Sequence, residues 1–308
     1  MRTALIETVA ELARADGRIM LLTADLGWGV VERFAAQHPT RFVNVGVAEA
    51  NMASLGTGLA LVGFVPYLYS IATFTSMRCY EQVRDGAVVH GLPVRIVGVG
   101  GGFAYGHAGP THWALEDLAL ARVQPGMTVI APVDPAQTRS AVRATAALPG
   151  PVYFRVGKGN NAELPGLNGR FALHRPEVVR EGRGLLFLAT GSVAHEALAA
   201  AAMLQDVHPG VAVLAHLGFA PGDELCELLR LFRWVVTVED GYAAGGLGAL
   251  VAQAIAERGL GCRLQTCGVA EPVDGVSGTE NYLRRRYRLD APELAAVARR
   301  LLSGGVHG

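Results

Sequence analysis

Phe42-Val43-Asn44-Val45-Gly46-Val47-Ala48-Glu49-Ala50-Asn51-Met52 reads as a short apolar strand that turns at a glycine and enters a helix of small residues, Ala53 to Leu61. A strand that leads directly into a helix is half of a βαβ unit, so the stretch points to a parallel sheet. It also carries one conspicuous acid. Glu49, with apolar residues on both sides, is expected to be partly desolvated, and such a carboxyl tends to have a raised pKa and to trade a proton with whatever faces it. A buried carboxylate satisfied by a backbone amide or an arginine is the plain alternative, and the stretch alone leaves both open.

Outward from this stretch, β-branched runs alternate with helical patterns, as right-handed crossovers on a parallel sheet require. Strands are expected over 19–23, 42–45, 65–69, 94–98, 127–131 and 152–155, with helices over 5–15, 30–37, 51–61, 76–90 and 136–147. Asp134-Pro135 marks the start of the last helix: a capping carboxylate, then proline at the first helical position. From Lys158 to Arg183 the rhythm breaks into glycine, asparagine and proline. That segment reads as an interdomain linker. A second unit follows, with strands over 185–189, 211–215, 234–239 and 263–267, and helices from the Thr190-Gly191-Ser192 turn to about 204, then over 249–257, 281–287 and 292–302. The expected fold is therefore α/β, two doubly wound domains with mostly parallel sheets, divided as 1–160, a linker over 161–183, and 184–308.

Composition bounds the function. The 308 residues are 51% hydrophobic and 18% charged, with 39 glycines and no formal net charge. That suits two well-buried cores and gives no electrostatic footprint for nucleic acid or an anionic membrane. No apolar run reaches the roughly 18 residues that span a bilayer. Met1 to Asp16 has an amphipathic helical pattern with Glu7, Glu11 and Arg14, and lacks the apolar centre of a secretory signal. The four cysteines, Cys79, Cys226, Cys262 and Cys267, form no Cys-x-x-Cys pair. Reduced structural thiols in a cytoplasmic protein are expected, and no metal site.

Two glycine clusters invite a cofactor reading. Gly98-Val99-Gly100-Gly101-Gly102 follows a strand but lacks the Gly-x-Gly-x-x-Gly spacing, while Gly245-Gly246-Leu247-Gly248 opens a helix whose amides could hold an anion. Close helix packing is the plainer use of the second cluster. No P-loop pattern occurs. The segment Tyr105-Gly106-His107-Ala108-Gly109-Pro110-Thr111-His112-Trp113-Ala114-Leu115-Glu116-Asp117 is more specific. It places two histidines in a loop at the carboxyl end of a parallel strand, where open α/β sheets bind ligands. His107 and His112 have no convincing third metal ligand, so a hydrogen bond or proton given to a substrate oxygen is the better use.

Taken in order, four blocks resemble the transketolase family of thiamine diphosphate enzymes: Leu22-Thr23-Ala24-Asp25-Leu26; Phe42 to Glu49; Gly109-Pro110-Thr111-His112 with Ala114-Leu115-Glu116-Asp117; and Val235-Val236-Thr237-Val238-Glu239-Asp240 running into Gly245-Gly246-Leu247-Gly248. The resemblance spans the chain but matches only the family's second half, a pyrimidine-binding domain followed by the transketolase C-terminal domain. It implies that Glu49 hydrogen-bonds N1′ of the cofactor's aminopyrimidine and relays its proton. It implies a stacking wall within Ile71 to Tyr80, with Phe74 foremost and Ile71, Met77 or Tyr80 sharing it, and Asp25 beside the cofactor. His112 would be catalytic and contact the donor's oxygens, with His107 and Arg78 as further substrate contacts. Arg155 would clamp a sugar phosphate, a role that suits its donor fork.

The family's Gly-Asp-Gly, which holds Mg²⁺ and the diphosphate, is absent from this sequence. The resemblance thus implies a split enzyme, whose N-terminal-half partner subunit carries the Mg²⁺ and diphosphate site, in an α2β2 assembly. Such an enzyme moves a two-carbon ketol unit from a ketose to an aldehyde. Ala50, Ala108, Gly100 and Trp113 depart from the family's usual polar residues. Those departures suggest a less polar pocket, with Trp113 adding an indole to it. A β subunit of a 2-oxo acid dehydrogenase, a deoxyxylulose-phosphate-synthase-like enzyme and a non-catalytic scaffold subunit are the competing readings.

Overall fold

Ile19–Thr23 is buried at every position, as expected of a central parallel strand that is apolar on both faces. It is β1 of the computed structural model, which describes residues 1–159 and 162–303. The first unit runs α1 (Arg2–Ala15), β1, α2 (Glu32–Gln37), β2 (Phe42–Asn44), α3 (Glu49–Leu61), β3 (Val65–Ile71), α4 (Tyr80–Gln82), β4 (Arg95–Val99), α5 (Asp117–Arg122), β5 (Thr128–Ile130), α6 (Pro135–Thr145) and β6 (Val152–Val156). Its sheet has the order β2-β1-β3-β4-β6-β5, and every pairing is parallel. Asp134 caps α6 as its sequence predicts, accepting from the Gln137 amide at 2.8 Å.

The second unit runs β7 (Glu177–Arg180), β8 (Gly184–Ala189), α7 (Ala194–Ala202), β9 (Gly210–Val213), α8 (Asp223–Arg230), β10 (Phe232–Tyr242), α9 (Leu247–Arg258), β11 (Arg263–Val269), α10 (Glu280–Arg286) and α11 (Ala291–Ser303). Its strand order is β11-β10-β8-β9-β7, parallel except for β7 against β9. The expected fold class, two α/β units with mostly parallel sheets, is the observed one.

Two local expectations need correction. The segment 161–183 is not connector throughout: its last part is β7, an antiparallel edge strand. The helix expected over 76–90 is instead α4 flanked by π-helical turns, Phe74–Arg78 and Val83–Val88. In the first of these, Thr75 Oγ1 donates to the carbonyl of Ile71 at 3.3 Å and Ser76 Oγ to that of Ala72 at 2.7 Å. Hydroxyls that bond back to the preceding turn compete with the backbone amides and distort the helix. The resulting bulge, a common device at functional sites, aims Phe74 and Arg78.

The sheets are stitched together where β5 ends. The Ala131 amide donates to Ala215 at 2.7 Å and the Leu217 amide to Val129 at 2.9 Å. His216, between them, accepts the His174 amide on Nδ1 at 3.0 Å and stays buried. Burial, then the neighbouring His174, lowers its pKa from 6.5 to about 4. The unfolded chain therefore binds a proton near pH 6.5 that the folded chain refuses until about pH 4. Stability from this group is complete above pH 6.5 and declines by about 3 kcal/mol across that window. His216→Asn keeps an acceptor and removes the titration. Urea denaturation at pH 7, 5.5 and 4.5 should show a shallower acid decline for the variant, and parallel curves for both proteins would refute this origin.

Among the described residues, no helix is long and apolar enough to cross a membrane.

Candidate active site

The candidate side chains come from the carboxyl edge of the first sheet, where an open α/β sheet binds ligands. Asp25 follows β1, Glu49 opens α3 after β2, Phe74 and Arg78 follow β3, His107 and His112 follow β4, and Arg155 lies near the end of β6.

Glu49 is the best-defined member. As the first residue of α3 its charge faces the positive end of that helix, a favourable place for a carboxylate. Its side chain is 1% exposed, and Ser70 on β3 donates to Oε1 at 3.3 Å. Arg78 donates to Oε2 at 2.8 Å. The same guanidinium lies 3.8 Å above the centroid of the Phe74 ring. Cys79, next in the bulge, is buried, and that burial, then the charge of Glu49, pushes its thiol up to about 12. It stays protonated and is no nucleophile.

Phe74 also meets His112 edge-on, with ring centroids 5.3 Å apart. Glu49, Arg78, Phe74 and His112 are thus one continuous row of contacts. His112 has Nδ1 2.9 Å from the Thr111 hydroxyl, leaving its other nitrogen free of that contact. Tyr105 leans toward it at 6.1 Å, and the exposed Lys158 ammonium lies 4.3 Å from the Tyr105 ring centroid.

Other candidates lie apart from this row. Asp25 is exposed, in the left-handed region with φ 55°, and is clamped to β2 by Asn44, whose Nδ2 donates to Oδ1 at 2.9 Å. Met77 is exposed on the outside of the bulge. Tyr80 turns away from Glu49: its hydroxyl accepts from Gln124, and it lines a small cavity with Val83, Ile96 and Met127. That cavity includes neither Glu49 nor Phe74, so Tyr80 is not placed in a wall with Phe74. His107 is exposed in a single 3₁₀ turn.

Arg155 needs the clearest correction. Its side chain is 3% exposed and lies against Asp117 at 3.3 Å and Asp240 at 3.4 Å. Nη2 donates to the carbonyls of Ala114 at 2.9 Å and Asp240 at 2.7 Å. Burial opposes the charge, but the two carboxylates outweigh it and hold the pKa above its ordinary value. Nη1 has no hydrogen-bond partner among the described residues, but the guanidinium is buried between two carboxylates and so is not presented to a sugar phosphate arriving from solvent. It instead pins the histidine loop, through Ala114, to the second unit.

The glycine clusters belong to this same construction. A Cβ on Gly101 would lie 2.0 Å from Arg155 Nε, and one on Gly102 2.5 Å from the Asp240 carboxyl carbon. At the head of α9 an anion is indeed held by amides, but it is internal: Leu247 and Gly248 donate to Glu239 at 2.9 and 2.8 Å. Trp113 is also corrected. Its indole is buried, donates to the Gly106 carbonyl at 3.1 Å and packs on Phe103. It anchors the loop to the second core and adds nothing apolar to the pocket. Lys158, Tyr105 and the buried Asp117–Arg155–Asp240–Arg284 chain escape sequence reasoning, because only the fold places them together.

Comparison with known proteins decides the family. The transketolase pyrimidine-binding domain model matches residues 1–163, and the transketolase C-terminal domain model matches residues 175–294. The chain belongs to the transketolase family. The 6-deoxy-6-sulfo-D-fructose transketolase subunit SqwH of Clostridium sp. (strain MSTE9) is 36% identical over 97% of this chain and 93% of its own length. An apulose-4-phosphate transketolase subunit of Phocaeicola vulgatus is 32% identical over 96% of each chain. A solved structure, described as a split-gene transketolase in an inactive β4 tetramer, superposes with a TM-score of 0.85 at 33% identity, covering 98% of this chain and 97% of its own. Membership of the transketolase family implies dependence on thiamine diphosphate.

The pyrimidine end of that cofactor fits the residues present. Arg78 is a planar, cationic N–H donor that stacks on Phe74 and bonds to Glu49. An aminopyrimidine would stack on Phe74 in the same way, but its N1′ would accept a proton held by Glu49 where Arg78 donates one. The diphosphate end has no counterpart among the described residues, which hold no cluster of acids, histidines or cysteines suited to a metal ion.

Proposed function

We propose that this chain is the small subunit of a two-chain transketolase, moving a two-carbon ketol unit from a ketose donor to an aldehyde acceptor. The observation that carries the reading is the buried Glu49 carboxylate paired, across a stacked planar donor, with Phe74. When bound, thiamine diphosphate supplies the carbon nucleophile that carries the two-carbon unit. Glu49 holds and relays the proton at N1′ of the aminopyrimidine, a task suited to a carboxyl shielded from water. Phe74 presents its face to that ring. His112, along the same row, donates to oxygens of the donor and acceptor. Lys158, rather than Arg155, offers an exposed cation near this end of the site. The two named relatives act, by their names, on a sulfonated and a phosphorylated sugar. Their likeness supports an anionic ketose as donor here.

The Mg²⁺ and diphosphate site then belongs to a separate partner subunit, in an α2β2 assembly within the cytoplasm. Support comes from full-length similarity to chains that are themselves subunits, and from a relative whose β chains alone form an inactive tetramer. Val47, Leu55, Leu61 and Val62, at and along α3, expose an apolar face that suits association between copies. The test is calorimetry with thiamine diphosphate and Mg²⁺, on this chain alone and mixed with its partner. Binding and ketol transfer should require the mixture. Micromolar, Mg²⁺-dependent binding by this chain alone would sink the two-chain reading.

A further inference from the structure

Arg78 and Glu49 differ sharply in exposure: the arginine side chain is 47% exposed and the carboxylate 1%. A buried carboxylate needs a compensating cation, and this one is reached from solvent along the Phe74 face. The place at Oε2 and the stack on Phe74 are the two positions that an aminopyrimidine would occupy, its N1′ accepting a proton from Glu49 where Arg78 donates one. Arginine and pyrimidine therefore compete for the same carboxylate oxygen and the same ring.

We propose that Arg78 is a built-in placeholder. It neutralises Glu49 while the pyrimidine site is closed, and it must swing out for thiamine diphosphate to engage. The π-helical bulge makes this exchange feasible. Arg78 is the bulge's last residue, next to Cys79 at φ −118° and ψ 24°, and its half-exposed side chain has solvent to swing into. Cofactor affinity is then set by an equilibrium between an arginine-closed and an open state, and only the open fraction binds. The proposal rests on the thiamine diphosphate reading above.

The test uses the assembled two-chain complex with Arg78→Met, which keeps the unbranched stem and removes the charge and the donors. Calorimetry gives the thiamine diphosphate Kd, and thermal melting gives the stability of the cofactor-free complex. The variant is expected to bind the cofactor about tenfold tighter or more, while its cofactor-free form melts at a lower temperature because Glu49 has lost its counterion. Arg78→Lys retains the charge without the planar stack and should fall between the two. Equal or weaker binding by Arg78→Met, in a complex where the wild type binds normally, overturns the placeholder alone. No binding by either protein overturns the cofactor reading and the placeholder with it.

Discussion

Glu49→Gln in the assembled enzyme is expected to lower the transfer rate at least about a hundredfold, the usual loss when a positioned acid/base is removed. The fold should survive. Glutamine has the same length, can accept from Arg78 through its amide oxygen and donate to the Ser70 hydroxyl through its amide nitrogen, and leaves no buried charge behind. Arg78 loses its ion partner, but its side chain is half-exposed, so water can compensate it. What glutamine cannot do is pass a proton to a ring nitrogen. Activity should therefore fall while the melting temperature and the subunit composition change little. The decisive comparison is rate per folded complex. A variant that melts early but keeps its rate per folded molecule would mean that Glu49 is a structural acid, and the relay would have to be abandoned.

The same contrast between local and remote partners decides what is legible in the sequence. Period and hydropathy identify strands such as 19–23 and 65–69, because a buried parallel strand is apolar regardless of its neighbours. The strand–turn–helix around Glu49 is equally local, and its glutamate stands where expected. β7 is hidden because four residues, Glu177 to Arg180, in a stretch rich in glycine and proline carry too little pattern to register. α8 does have a pattern, with Leu225, Cys226 and Leu229 on one buried face, but eight residues make it too short to stand out. The π-helical turns depend on hydroxyls bonding backward, which no apolar period reports. The site residues divide in the same way. Glu49, Phe74 and His112 lie within blocks of their own and meet in the structure. Arg155 and Trp113 mislead because their roles are set by Asp117, Asp240 and Phe103, remote in the chain. A polar residue's duty is decided by what faces it, and only the fold supplies that.

Arg155 yields the largest expected loss of stability. Arg155→Ala leaves Asp117 and Asp240 buried without their shared cation and strips the carbonyls of Ala114 and Asp240 of a donor. Arg284, 3.0 Å from Asp240, compensates that carboxylate in part, whereas Asp117 keeps hydrogen bonds from the Tyr153 hydroxyl at 2.8 Å and the Leu118 amide but no cation among the described residues. Breaking a buried pair from one side typically costs about 3–5 kcal/mol. A drop in melting temperature on the order of 10 °C is expected for a domain of this size. The loop bearing His112 loses one of its tethers at the same time, at Ala114, while Trp113 still anchors it. Ketol transfer should then fall alike for phosphorylated and neutral donors. Arg155→Lys, restoring one charge without the fork, should recover only part of the stability. If Arg155→Ala instead melted like the wild type and lost activity only toward phosphorylated sugars, the guanidinium would be a substrate clamp after all. The buried ion network would then be incidental to the loop's position.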